Sequence, residues 1–519
     1  MKLQNFKNYQ NIHIWTGILS GLLLYICFAS SAFTMFKAPL NTWALHNTNT
    51  MPAIAEHQYD QLIQKILIAH PEASGELTLF LPSSIPQHAP AQWVIEDQET
   101  HNKTFWHASL DENGELISRS IALSDIGDFF DHLHRTAGIP GGDDHDAVGT
   151  FVMGIVCVLY FVAIISGLII FLPTWTKDLF ALRKDKKAKR FWVDFHNILG
   201  ISALPFHIII AITTFVFAYH DILYGGIQSL VYQDKPMFNR PVAMDIDRSI
   251  EHLVPVDVLK QKITETEPDF ALAELRYTGL GTPRARLIIG GELTGEIIRG
   301  PYYAFWVTDP YTASAGYTAM LPSVSGVAGK VVNSFFTLHF GGFGGSFIHW
   351  VYFALGLSGA LLFLTGNIIW VESRRKKSTP STPIKQKTSV RILSRLTVGV
   401  CLGTLFGIGL SLIAAKLASA AQSDIQFYQH LGYYGGFISA IIYCFLIAPF
   451  RAAIHGLYLL SLIAVSVVAM TCFYWNSSVS HTIDISVIFL ATLLAFVFWL
   501  LARRLTKRSP DIPQDGVWL

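Results

Sequence analysis

Long apolar runs are the feature that most constrains the fold of this 519-residue chain. An apolar run of about 20 residues is long enough to cross the hydrocarbon core of a bilayer as a helix. Eight runs reach this length, at roughly 14–36, 149–172, 195–219, 347–370, 396–416, 431–450, 456–474 and 484–502. Only 14% of the residues are charged, whereas a soluble domain carries about 25%. The sequence therefore predicts a mainly α, polytopic helical membrane protein with about eight transmembrane helices.

The first apolar run has some features of a secretory signal peptide, because Lys2 and Lys7 precede it. It is longer than the apolar region of such a signal, which spans about 7–15 residues. We therefore expect the run to be retained as the first membrane helix.

Clusters of basic residues predict the orientation of the chain in the membrane. They lie at Lys177–Arg190, Arg374–Lys377, Arg451 and Arg503–Arg508. Lys and Arg accumulate in cytoplasmic loops, and counting helices from a cytoplasmic N-terminus places all four clusters inside. Both termini are then cytoplasmic, and segments 37–148 and 220–346 lie outside. The formal net charge of +1 gives no reason to expect nucleic acid as a partner.

The two outer segments have a similar layout. In each, an amphipathic helix candidate (57–69 and 254–264) precedes strand-like runs. These runs are 76–82, 92–96, 103–109 and 115–118 in the first segment, and 273–278, 285–290, 294–299 and 301–308 in the second. Each segment is therefore predicted to be a small α+β insert between two spans, and residues 1–370 form a tandem arrangement.

These boundaries divide the chain into eight parts, and the last bundle has short connections and little polar content. In order they are the first span (1–36), the first insert (37–148), the second and third spans with their basic loop (149–219), the second insert (220–346), the fourth span (347–371), a Ser/Thr/Pro-rich cytoplasmic linker (372–391), a four-helix membrane bundle (392–504) and a cytoplasmic tail (505–519).

Histidines recur at the ends of the apolar runs in the first 370 residues, at His13, His134, His196 and His339, and His207 lies inside one run. A histidine in a membrane span is costly unless something uses it. Several in one bundle suggest a metal or a haem, because imidazole is a common axial ligand of haem iron.

The spacing of these histidines suggests two sites. His196 and His207 are eleven positions apart on one predicted helix, so they share a face and are separated by about 17 Å along the axis. One helix can thus offer a ligand to each of two haems, and His13 can face His196 at the cytoplasmic edge. The alternative without a cofactor is a set of interfacial histidines that form hydrogen bonds with their neighbours.

Glycines follow two of the outer histidines, in DHLHRTAGIPGG (131–142) and LHFGGFGG (338–345). They either let backbone approach a planar ligand or form ordinary tight turns. We do not include His132 and His349 among the candidate ligands. His132 need not share the role of His134, and His349 can serve simply to anchor the interface beside Trp350.

All five cysteines fall inside predicted spans, and the chain has no C-x-x-C or C-x-x-C-H sequence. Iron–sulfur clusters, a zinc ribbon and covalent c-type haem are therefore not expected. Any haem would be held non-covalently, and no separate metal site is predicted.

Several segments resemble the PepSY-associated transmembrane family. They are NIHIWTGILSGLLLYICFASSAF (11–33), DHLHRTAGIPG (131–141), FWVDFHNILGISALPFHIIIAIT (191–213), and LHFGGFGG followed by WVYFALGLSGALLFLTGNIIWVESRRKK (338–345, 350–377). The resemblance covers about 1–377, is specific in the LHFG-x-FGG and DFHN-x-LG motifs, and is weak in the two PepSY-like inserts.

This resemblance implies a bacterial inner-membrane reductase with two non-covalent haem b groups, acting in iron acquisition on ferric iron or ferric-siderophore at the periplasmic face. His13, His134, His196 and His339 match family histidine positions, and His207 matches a histidine of part of the family. From these candidates we pair His13 with His196 inside and favour His134 with His339 outside, with His207 as a rival for one outer position.

The chain departs from the family in two ways. Ser30-Ser31 stands where the family usually has Thr-Gly, and four further spans replace the cytoplasmic flavin domain of some relatives. No G-x-G-x-x-G dinucleotide fold occurs in context, so the electron donor would be a cytoplasmic reductase or quinol.

Two other functions stay open at this point. The outer inserts can bind a peptide or regulate a periplasmic partner, with the helices as an anchor and no enzymatic activity. Alternatively, the last four spans can form a transporter, which usually needs polar groups inside the membrane.

Overall fold

The structure is a computed structural model of the 519-residue chain. It describes residues 3–45, 51–83, 88–96, 103–121, 124–141, 147–179, 181–183, 188–233, 247–293, 295–300, 302–314, 320–376, 385–475, 481–511 and 516–519. Parts of the predicted basic loop (184–187) and of the cytoplasmic linker (377–384) lie outside the described residues.

Helices dominate the described part of the chain. In order they are α1 (Leu3–Thr34), α2 (Lys37–Ala44), α3 (Tyr59–Ala69), α4 (Ile126–Thr136), α5 (Val148–Phe171), α6 (Trp175–Asp178), α7 (Ala188–Ser202), α8 (Leu204–Leu230), α9 (Val256–Thr266), α10 (Val327–Phe340), α11 (Gly345–Arg374), α12 (Thr388–Ala420), α13 (Ile425–Leu446), α14 (Pro449–Phe473) and α15 (His481–Arg508). The strands are β1 (Glu76–Phe80), β2 (Ala91–Glu96), β3 (Lys103–Leu110), β4 (Leu116–Ile121), β5 (Ala271–Thr278), β6 (Arg286–Glu292) and β7 (Ala304–Thr308).

Seven of these helices are long and apolar enough to cross a membrane: α1, α5, α8, α11, α12, α14 and α15. The eighth predicted span coincides with α13, which has 22 residues and is not among the seven. Gln426, Gln429 and His430 make its first turns polar. The prediction of a polytopic helical membrane protein with small α+β inserts is confirmed.

The predicted third span is not one helix, which corrects the expectation that His196 and His207 share a helix. The structure ends α7 at Ser202 and begins α8 at Leu204, and the intervening Ala203 leaves the helical region with φ −105° and ψ 13°. Pro205 explains the break, because its ring has no N–H to donate and clashes with the preceding turn. His196 lies on α7 and His207 lies on α8.

The two inserts share one seven-stranded antiparallel sheet, in the order β4-β3-β2-β1-β5-β6-β7. The joint is the pair β1–β5, in which Leu77 lies opposite Tyr277. Strand prediction is wrong at 294–299, since described residues 295–300 form turns and bends rather than a strand. The alternation of apolar residues was too short there to distinguish a strand from a buried connection.

One face of this sheet is covered by α3 and α9, which bury a common core with it. The two helices also contact each other, because Asp60 accepts a hydrogen bond from the Val256 backbone N–H (3.0 Å) and Lys260 pairs with Glu56 (2.8 Å). Two equivalent helices thus lie side by side on one sheet, so the two inserts form a single body.

Helix α1 is the centre of the first membrane half and packs on α5 and α11. At Gly359 of α11 an added Cβ atom would lie 2.2 Å from Cδ1 of Phe28 on α1. The absence of a side chain there gives the Phe28 ring its place against α11.

The C-terminal bundle of α12 to α15 is joined to the first half at the end next to the inserts. The Lys416 ammonium group on α12 donates to the backbone oxygens of Trp43 and Leu45. Asp125, at the start of α4, accepts hydrogen bonds from Gln426 (2.9 Å) and Gln429 on α13. Helices α2 and α4 are therefore fixed from both halves of the molecule.

We expect Gly359→Ala to lower the melting temperature of the detergent-purified protein, because the added Cβ overlaps Phe28 and overpacking costs about 1–3 kcal/mol. Tryptophan fluorescence during heating measures it. Gly435→Ala is the matched control, since a Cβ there meets nothing within 4 Å and alanine favours helix. Equal melting of the two variants would contradict the α1–α11 packing.

Candidate functional site

The structure brings His13 of α1 and His196 of α7 together, with ring centroids 6.3 Å apart. Nδ1 of His13 donates to the backbone oxygen of Ala163 on α5 (2.9 Å). Nδ1 of His196 lies 3.1 Å from the backbone oxygen of Leu362 and 2.9 Å from Oγ1 of Thr365, both on α11. Four helices therefore meet at this inner pair.

The two rings of the inner pair reach helix carbonyls in the same way. In each case the residue four positions after the acceptor is a glycine: Gly167 follows Ala163, and Gly366 follows Leu362. A Cβ on Gly167 would lie 2.8 Å from Cε1 of His13, and one on Gly366 would lie 3.4 Å from Cε1 of His196. The missing Cβ is what gives each ring room against its neighbouring helix.

The outer pair consists of His134 on α4 and His339 on α10, with ring centroids 6.1 Å apart. Nδ1 of His134 donates to the backbone oxygen of Cys27 on α1 (3.2 Å). Nδ1 of His339 lies 2.8 Å from Oγ1 of Thr213 on α8. The Thr213 hydroxyl donates its proton to the backbone oxygen of Ile209 (2.8 Å). Its oxygen is then the acceptor for His339.

Carbonyl partners fix the tautomer of His13, His196 and His134, because a carbonyl oxygen can only accept and the ring nitrogen bonded to it must carry the proton. For His339 the same tautomer follows if the Thr213 hydroxyl donates to Ile209 and accepts from the ring. The proton then lies on Nδ1 and the lone pair lies on Nε2. Among the described residues, no protein hydrogen bond uses Nε2 of these four histidines. Each pair therefore offers two neutral nitrogen donors.

The spacing of the rings fits two axial ligands of one metal. An imidazole nitrogen binds a metal at about 2 Å, so two rings on opposite sides of one ion have centroids roughly 6 Å apart. Both pairs have that separation. Such a donor set, with Nδ1–H bonded to the protein, suits haem iron.

A cavity of about 200 Å³ adjoins the outer pair and is lined by His134, His339, Lys37, Asp131 and Tyr302, among others. A planar macrocycle would extend beyond this volume, since pockets for drug-sized ligands hold about 300–1,000 Å³. Burial alone would lower the pKa of Lys37, but Asp131 and Asp128 outweigh it and the pKa is raised. Lys37 therefore stays cationic at the mouth of the cavity.

His207 is not paired with another histidine; it lies in an aromatic cluster. Its ring contacts are Phe28, Tyr160 and Phe206, at 5.7–6.0 Å. Nδ1 is 2.6 Å from the Tyr160 hydroxyl, and the buried Nε2 has no partner. The structure therefore does not place His207 beside the outer pair.

Several residues of these sites escaped the sequence analysis. Thr213 and Thr365 accept from ring nitrogens, and Phe28, Tyr160 and Phe363 form the aromatic cluster with His207. Aromatic and threonine residues are ordinary in apolar spans and give no signal. The one available signal was a small residue before glycine in two spans, Ser166-Gly167 and Thr365-Gly366.

The glycines after His339 are explained by the turn that joins α10 to α11. Gly341 ends α10 with φ +66°, and Gly344 and Gly345 have φ +70° and +59° before α11. Positive φ favours glycine, so the tight-turn interpretation of this motif accounts for these three residues.

The fold and the half-buried histidine pairs define a multi-pass membrane protein with candidate cofactor sites between its helices. The family described as PepSY-associated TM region matches residues 10–373, more than two thirds of the chain. The chain belongs to this family, as its motifs predicted. No curated protein matches it, and α12 to α15 lie beyond the matched residues.

A double-mutant cycle tests the Tyr160–His207 contact. Tyr160→Phe removes the hydroxyl beside a fully buried ring, which should cost about 1–3 kcal/mol and lower the melting temperature. His207→Phe in the same background should restore part of the loss, because both polar groups are then gone. Additive effects of the two changes would show that the contact does not form.

Proposed function

We propose that this protein is a di-haem electron carrier of the b type, and that its reductase activity reduces ferric iron or ferric-siderophore in iron acquisition. One haem would be held by His13 and His196, and the other by His134 and His339. The observation that carries the proposal is the free Nε2 of all four rings, in two pairs with the spacing of axial ligands.

Haem bound in this way would supply a one-electron redox centre, and two imidazoles of the protein would hold it at each site. The protein's own contribution is to orient the four rings and to exclude water. Ala163, Leu362 and Cys27 hold three of the rings by backbone oxygens, and Thr213 holds the fourth. Such partners fix the ring orientation and raise ligand basicity.

The two pairs lie at opposite ends of α1. His13 belongs to the inner pair, and Cys27, whose carbonyl binds His134, lies fourteen residues further along the same helix. This corresponds to about 21 Å at 1.5 Å per residue, or most of a hydrocarbon core of roughly 30 Å. Phe28, Tyr160 and Phe363 lie at mutual ring distances of 5.2–5.9 Å in the same bundle. Two haems so placed suit electron transfer across the membrane.

The outer pair is joined directly to the two inserts, because α4 follows β4 and α10 follows β7. The distribution of basic residues supports a periplasmic position for this side and cytoplasmic termini, in the inner membrane of a bacterium. A ferric substrate would then meet the outer haem site beneath the sheet. The donor would be a cytoplasmic reductase or quinol.

Haem content distinguishes the ligands from the other histidines. We expect two haems per chain in the wild type, about one in His196→Leu or His339→Leu, and two in the control His207→Leu. A reduced-minus-oxidised spectrum with a pyridine haemochrome assay measures the ratio. A colourless wild-type protein that takes up no haem would disprove the proposal, and one haem in His207→Leu would move His207 into the ligand set.

Thr213→Val should weaken the outer site without removing a ligand, because His339 loses the acceptor of its Nδ1 proton. Loss of such a partner lowers metal affinity about 10–100-fold. Haem release to apomyoglobin measures the change, with Thr214→Val as the neighbouring control. Equal release from both variants would show that Thr213 does not orient His339.

A further inference from the structure

A large cavity of about 780 Å³ separates the first half of the molecule from the C-terminal bundle. One wall consists of the ends of α1 and α2, the turn before α11 and residues of the second insert. The opposite wall belongs to α12, α14 and α15, which lie outside the family match. One wall of the cavity is therefore formed by helices that lie beyond the residues matched by the family.

The cavity is long and narrow. Along α15 its lining recurs on one face, at Thr482, Ser486, Leu490, Leu494 and Phe498, so it follows sixteen residues of helix, or about 24 Å. Its deep part is apolar and is lined by Leu405, Ile408, Leu412, Ile463, Leu494 and Phe498. Glu292, at the outer end, is the one charged side chain among the described residues of its lining.

The outer end is aromatic and adjoins the outer histidine pair. Met35, Tyr302 and His349 line both this cavity and the smaller one beside His134 and His339. Tyr302 and His349 are in ring contact at 5.4 Å. The Tyr302 hydroxyl donates to the backbone oxygen of Met35 (3.0 Å), and within the described chain His349 has no hydrogen-bond partner.

This shape restricts the ligand. A molecule that fills it needs an apolar tail of about 24 Å and a compact polar head that can bond with an imidazole. A ferric-siderophore does not meet the first condition, because its charged groups would be left unpaired in the deep apolar part. A phospholipid meets the second condition poorly, because Glu292 is the charged side chain among the described lining residues, and the cationic Lys37 lies in the smaller cavity, where Asp128 and Asp131 already pair with it.

We propose that this cavity binds an isoprenoid quinol, with its head group against Tyr302 and His349 at the outer end and its tail along α15. The inference rests on the proposed function, because it supplies the donor that the haem sites require. Oxidation of one quinol to quinone breaks two O–H bonds and releases two electrons and two protons. A haem held by His134 and His339 would supply the one-electron acceptor for the two electrons in turn, and the protons would pass to water at the outer face.

Extraction of the full-length protein purified from native membranes tests binding. We expect quinone by mass spectrometry in the wild type, and roughly tenfold less in Leu490→Trp, which fills the cavity. Leu493→Trp is the matched control on the same helix, since Leu493 is 47% exposed and faces away. Equal quinone in the two variants, or phospholipid as the sole extracted molecule, would overturn the proposal.

A second measurement tests the position of the head group. Decylubiquinol added without oxygen should reduce the haem of the wild type and of His196→Leu, because the cavity adjoins the outer pair alone. The rate should fall roughly tenfold in Leu490→Trp and not in Leu493→Trp. If reduction needs the inner pair, quinol enters elsewhere and this site is wrong.

The two proposals fail in different ways. Quinone bound by a protein that carries no haem would disprove the electron-transfer function and leave the quinone site standing. Two haems per chain in a protein that neither retains quinone nor is reduced by decylubiquinol would leave the haem sites standing and disprove the quinone site.

Discussion

The arrangement of this membrane region depends on one hydrogen bond repeated four times, from histidine Nδ1–H to an acceptor on a neighbouring helix. A bare N–H in an apolar core is costly, so each ring is tied to a helix other than its own. The bond sets the tautomer, and the tautomer leaves the Nε2 lone pair free. Helix packing and ligand chemistry are thereby linked, because a helix that shifts takes the acceptor with it.

The tandem arrangement of residues 1–370 gives its two halves equivalent structural roles around the histidine pairs. Helices α5 and α11 each offer a carbonyl and, one turn later, a glycine that makes room for a ring. Helices α4 and α10 each carry an outer histidine and each follow an insert. The shared sheet joins those inserts through β1 and β5, so it holds together the two outer segments from which the outer histidines come.

The C-terminal bundle extends this scheme. It fixes α2 through Lys416 and α4 through Gln426 and Gln429, and so supports the helix that carries His134. It also forms one wall of the long cavity that meets the outer pair at Met35, Tyr302 and His349. The helices α12 to α15 therefore hold α2 and α4 in place next to the outer histidine pair and also line the cavity that adjoins this pair.

Local signals in the sequence determined the spans, the inserts, most strands and the histidines worth considering, because apolar length, residue alternation and the cost of polar groups in lipid act over a few residues. The tertiary structure alone decided which histidines meet, since each pair joins elements more than 180 positions apart. It also decided that the inserts share one sheet, that His207 joins Tyr160, and that Lys416 is buried against Trp43. These contacts depend on how helices pack over long separations, and no periodicity within a single helix encodes them.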